Sequence, residues 1–106
     1  MDIDDLELYV RTDDAGKIPH FHICDATTKG QKFHTCVKLN APEYFHHTGK
    51  EDVLNSKQRK ELVKFLAQKN KRGLTNWEMM LILWNMNNSD VYIDDTAPMP
   101  DYLLLK

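Results

Sequence analysis

The strongest constraint in this sequence is an alternation. In "IPHFHICD" (18–25), Phe21 and Ile23 fall on one side of an extended chain and His20, His22 and Cys24 on the other. Successive side chains of a strand point to opposite faces, so each side of the run has one character. "QKFHTCVKL" (31–39) repeats the pattern, with Phe33, Thr35, Val37 and Leu39 against His34 and Cys36. "ATTKG" (26–30) between them carries turn residues. The two runs predict a β-hairpin with an apolar face and a His/Cys face. A turn centred on Thr28 pairs residue i with 56 − i, setting His22 opposite His34 and His20 opposite Cys36. Cross-strand partners lie roughly 4.5–5.5 Å apart at Cβ. Imidazoles and a thiolate on that lattice can converge on one ion, so His20, His22, His34 and Cys36 are the candidate metal ligands, with zinc the candidate cofactor. A slip of one residue would send them to the other face.

Other readings of the same face stand beside this one. None of the usual zinc spacings, such as C-x-x-C, H-x-x-x-H or H-E-x-x-H, occurs in the chain. The histidines can equally pack as satisfied core groups, with Cys24 and Cys36 as small apolar fillers. Nucleophilic catalysis by either cysteine would need an activated thiolate. Both fall mid-strand rather than at a helix N-terminus, where thiolates are favoured, so no catalytic residue is assigned.

The remaining chain completes an α+β layout in a single domain. "LELYVR" (6–11) alternates as a first strand, and "TDDAGK" (12–17) turns the chain. Pro19 belongs at the start of the second strand or on an edge, because it cannot donate a ladder hydrogen bond. Residues 1–39 thus read as a three-stranded antiparallel meander and 40–55 as a loop. Two helices follow in 56–90. The first opens at Ser56 as N-cap, runs to about Asn70 with Leu62, Phe65, Leu66 and Lys69 inward, and ends near Gly73. The second starts at the capping box "TNWE" (75–78), with Leu74 and Met79 placed for a hydrophobic staple. It carries two apolar stripes, Trp77/Met80/Leu81/Trp84 and Met79/Ile82/Leu83/Met86. The two helices are expected to pack on one face of the sheet. Residues 91–106 form an extended tail, with "VYI" (91–93) able to add a short strand.

Charge is segregated along the chain. Residues 57–72 hold seven basic residues and one acidic, between flanks that are each net −4, in a chain of net charge −2. Lys57, Arg59, Lys60 and Lys64 are the candidate anion-binding residues. No aromatic side chains interleave with them as a nucleic-acid stacking platform requires, so the helix reads first as a solvated face. The absence of an apolar run near 18 residues argues against a membrane helix. An acidic start and only two cysteines point to a reducing, cytoplasmic setting with both thiols free.

Pro19-His20-Phe21-His22, followed by a β segment and two helices with Trp77-Glu78, resembles a family of small bacterial and phage proteins. Its members carry a Pro-Pro-His-Phe-His-Val strand and a Trp-Glu helix, and often neighbour toxin–antitoxin or mobile-element genes. The resemblance covers residues 5–90, with Ile18 in place of the first proline and a longer tail. It implies the α+β layout and a bacterial or phage origin, and no activity. The resulting expectation is a non-enzymatic, regulatory module acting by contact with a protein partner or a second copy. Trp77, Trp84, Met86, Tyr102, Leu103 and Leu104 are the candidate contact residues. The alternative is a metal-dependent or histidine-based hydrolase of phosphodiesters using His20, His22 and His34.

Overall fold

In a computed structural model the chain is described over residues 2–3, 6–11, 18–25, 33–46, 49 and 51–105. The predicted turns at 12–17 and 26–30 and residues 31 and 32 of the third predicted strand lie outside the described residues. The fold is α+β: β1 (Asp2–Ile3), β2 (Leu6–Tyr9), β3 (His20–Asp25), β4 (His34–Lys38), α1 (Ser56–Ala67), α2 (Asn76–Asn87) and a terminal 3-10 turn (Tyr102–Leu104). The strands form one antiparallel sheet in sequence order. The three strands of the expected meander are β2, β3 and β4, and the two-residue β1 adds a fourth at the edge. β3 begins immediately after Pro19, as that residue's missing N–H requires.

The hairpin register differs from the expected one by two residues. Residue i of β3 faces 58 − i of β4: His20 meets Lys38, His22 meets Cys36, and Cys24 meets His34. The closing pair explains the shift. Phe33 N–H donates to the Asp25 carboxylate at 2.6 Å, and Asp25 N–H donates to the Phe33 carbonyl at 3.3 Å. A shift of two preserves the strand period, so every side chain keeps its predicted face.

Leu8, Phe21, Ile23 and Val37 lie in one core with Leu62 and Leu66 of α1 and Trp77, Met80, Leu81 and Trp84 of α2. The helices therefore cover the apolar face. The opposite face is not open, as coverage of the apolar face alone would suggest. His20, His22, Cys24 and Cys36 are each at most 1% exposed.

The free edge of β4 is closed by the chain that follows it. Lys38 N–H donates to the Glu43 carbonyl, Phe45 N–H to the Cys36 carbonyl, and Asp52 N–H to the His34 carbonyl. Covering an edge strand in this way removes a template for unwanted pairing.

Both helix starts are capping boxes. At α2 the Thr75 hydroxyl accepts from Glu78 N–H at 3.1 Å and the Glu78 carboxylate accepts from Thr75 N–H at 2.9 Å, as the sequence predicts. At α1 the cap is Asn55 rather than Ser56: Asn55 and Gln58 exchange side-chain-to-backbone bonds of 2.8 and 2.9 Å. α1 also ends earlier than expected, at Ala67, because Gln68 is extended and Lys69 bridges back to Thr75. Gly73, at φ +80°, serves a turn between the helices rather than a helix cap.

The tail is extended but adds no strand; α2 holds it by its main chain. Trp77 Nε1 donates to the Ala97 carbonyl at 2.8 Å and Trp84 Nε1 to the Val91 carbonyl at 2.7 Å. The Asn85 amide both donates to and accepts from Ile93, at 2.7 and 2.8 Å. The tail ends with Tyr102 and Leu105 buried in the core. Tyr102 packs edge-on to Phe21, and its hydroxyl donates to the Lys38 carbonyl.

Candidate metal centre

β3 and β4 bring His22, His34 and Cys36 onto one face, with His22 directly across from Cys36 and His34 two residues along the strand from it. His22 Nδ1 lies 3.0 Å from His34 Nε2 and 3.2 Å from Cys36 Sγ, and His34 Nε2 lies 3.8 Å from that sulfur. All three ligand atoms fall within 4.8 Å of one another. An ion bound at about 2.05 Å to nitrogen and about 2.3 Å to sulfur in a tetrahedron sets edges of about 3.3 Å (N–N) and about 3.6 Å (N–S). The observed triangle departs from those edges by a few tenths of an ångström. These three groups can therefore hold a metal ion.

The surroundings fix the rings in place. Tyr9 of β2 stacks on His22 at 4.9 Å and 8°, and His22 stacks on His34 at 5.3 Å and 11°. Three aromatic rings thus lie parallel across three neighbouring strands. One imidazole N–H donates to the bare nitrogen of the other, with the tautomer deciding which ring donates. His22 and Cys36 are buried, whereas His34 is half-buried and forms the solvent side of the centre. His34 is held by its backbone as well, its N–H donating to the Asp52 carboxylate at 3.0 Å.

His20 does not join this cluster. Its Nδ1 is 2.6 Å from the Ile18 carbonyl, to which it donates, and its ring stacks on Phe45 at 4.4 Å. It is a buried, packed histidine, with Trp84 tilted against it at 5.4 Å. Its cross-strand partner is Lys38, so the expected His20–Cys36 juxtaposition is replaced by His22–Cys36. Cys24, opposite His34, has its thiol pushed up by burial, with the nearby carboxylates of Glu7 and Asp25 adding to the effect. It therefore stays a protonated thiol, a poor nucleophile. Burial also raises the Tyr9 phenol, against the pull of the Arg11 guanidinium beside it.

The other candidate residues separate into two groups. Trp77, Trp84 and Tyr102 are buried in the protein's own core, while Met86, Leu103 and Leu104 are exposed. Lys57, Lys60 and Lys64 are exposed on α1, and Arg59 donates to the Leu54 carbonyl at 3.0 Å. α1 packs into the core beneath the apolar face, across the sheet from the His/Cys cluster.

Tyr9 and Phe45 were not singled out by the sequence. Their signal was an aromatic ring on the polar side of an alternating strand and another within the loop that follows the hairpin. Asn85 was also missed, although an amide inside an otherwise apolar helix is a sign of a buried hydrogen-bond partner. No helix among the described residues is long and apolar enough to cross a membrane. Comparison of the chain with protein-family models, with curated proteins and with solved structures returned no match.

Proposed function

We propose that this protein is a small module built around a zinc centre at His22, His34 and Cys36, and that it works by contact with another protein rather than by turnover. The observation that carries the metal reading is the mutual approach of two imidazole nitrogens and one sulfur to within 3.8 Å. Nitrogen and thiolate donors together suit zinc among the available divalent ions. The site is pre-organised by strand pairing and ring stacking, so little ordering is required of the ligands on binding. A thiolate ligand needs reduced cysteine, which fits a cytoplasmic location.

The test is metal analysis of the purified protein, followed by calorimetric titration with zinc. One zinc per chain is expected, with a lower melting temperature in chelator, because an ion bound only by the folded state stabilises that state. His34→Ala and Cys36→Ser should each weaken zinc by roughly 100-fold or more, beyond the usual cost of losing a supporting group. No bound metal, together with unchanged melting in chelator, removes the reading.

A hydrolytic reading draws on one observation: three protein ligands with a half-buried His34 leave a coordination position on the solvent side. Catalytic zinc sites keep such a position for water. The basic helix α1, however, packs by Leu62 and Leu66 into the core on the apolar side of the sheet, which gives no support for its lysines steadying an anion at the cluster. Zinc-loaded protein is expected to leave an activated phosphodiester such as bis(p-nitrophenyl) phosphate unhydrolysed; steady turnover abolished by Cys36→Ser would favour the hydrolase.

A further inference from the structure

The outward stripe of α2 and the tail beside it form a shallow groove lined by Ile82, Asn85, Met86, Ser89, Tyr92 and Asp95. Two of its walls are large hydrophobic side chains left in water: Met86 is 74% exposed and Tyr92 69%. The groove is pre-formed, because Asn85 fixes the Ile93 main chain from both its carbonyl and its amide. Ile93 and Val91 turn into the core, and Tyr92 between them turns outward. A rigid apolar groove costs little ordering to fill.

The stretch of chain that forms it carries charge of one sign. From residue 73 to residue 105 there is no Lys or Arg, while Glu78, Asp90, Asp94, Asp95 and Asp101 fall within that stretch. Asp95 lines the groove, and Asp94 beside it in sequence is exposed. Such a rim repels nucleic acid and anionic membrane surfaces and attracts cationic polypeptide.

We propose that this groove docks a basic segment of another protein, inserting one or two apolar side chains between Ile82, Met86 and Tyr92 while its lysines or arginines face the aspartates. A second copy of this chain is the poorer occupant. Its own basic segment is α1, which turns Leu62 and Leu66 into its core and presents Lys57, Lys60 and Lys64 to solvent. That face brings charge but not the apolar anchors the groove needs. The inference rests on the contact half of the function proposed above and is independent of the metal.

The test uses the full chain and a short synthetic helical peptide with leucines on one face and lysines on the other. A peptide of the same composition with its apolar face scrambled, and one with glutamate for lysine, serve as controls. The leucine/lysine peptide should bind with amide shifts centred on Ile82, Met86 and Tyr92 and should weaken as salt is added. Met86→Ala and Asp95→Lys, both at exposed positions, should each cost about tenfold in affinity without changing the melting temperature. Absence of binding, equal binding of the scrambled peptide, or indifference to both variants overturns the proposal. Shifts centred instead on Val53 or on Leu103 and Leu104 would overturn this groove while leaving a contact function standing. A concentration-dependent dimer in light scattering that Met86→Lys dissolves would assign the groove to a second copy.

Discussion

Thr35 sits in the apolar face opposite Ile23 with its hydroxyl fully buried and, among the described residues, without a hydrogen-bond partner. A buried, unpaired hydroxyl costs roughly 1–3 kcal/mol relative to one left in water. Valine has the same shape and no such oxygen. Thr35→Val should therefore raise stability by about 1 kcal/mol, seen as a melting point several degrees higher. Cys24 and Cys36 offer a second contrast between neighbours on one face. Cys24→Ala should leave the proposed zinc binding unchanged in calorimetry, because of the two cysteines only Cys36 has its Sγ beside the two imidazoles. The chemical identity of the face was readable from alternation alone. Which histidine meets which cysteine was not, because the closing pair of bonds between Asp25 and Phe33 sets the register across a turn whose length the pattern leaves free.

α2 owes its start to a reciprocal pair, and the pair is sensitive to acid. The Glu78 carboxylate is held below the usual carboxylate range by bonds from the Thr75 amide and hydroxyl. A group whose pKa is lowered on folding contributes stability above its unfolded value, here 4.5, and loses that contribution as pH falls through the folded value. Helicity followed by circular dichroism should thus drop below about pH 4.5, and Glu78→Gln should flatten that limb. Thr75→Ala should cost about 1 kcal/mol at neutral pH in chemical denaturation. This cap was legible because a capping box is wholly local. The start of α1 was misplaced by one residue because Asn55 and Ser56 are both good caps, and only Asn55 has a glutamine three residues on. The early end of α1 was not legible, because the bridge between Lys69 and Thr75 competes with the helix from outside it.

The molecule is closed by its two ends of chain: β1 extends the sheet, and the tail crosses α2 to bury Tyr102 against Phe21 and Trp77. Burial raises the Tyr102 phenol well above its ordinary value of 10.0. A raised pKa on folding means the contribution is complete below the unfolded value and is lost as pH climbs past it. Alkaline unfolding should begin above about pH 10, and Tyr102→Phe should make that limb shallower while costing about 1 kcal/mol at neutral pH for the lost bond to Lys38. The layers were foreseeable from the apolar stripes, but the sealing of the His/Cys face was not. Phe45 arrives over it from a loop whose path no periodicity encodes. The tail itself is gripped by Trp77, Trp84 and Asn85 at the carbonyls of Ala97, Val91 and Ile93 and at the Ile93 amide. A grip on the main chain does not read side chains. The outward positions of the tail, Tyr92 and Asp95 among them, are therefore free to mutate without loosening the fold, so selection can retune what this rail displays to other molecules while the rail stays fixed.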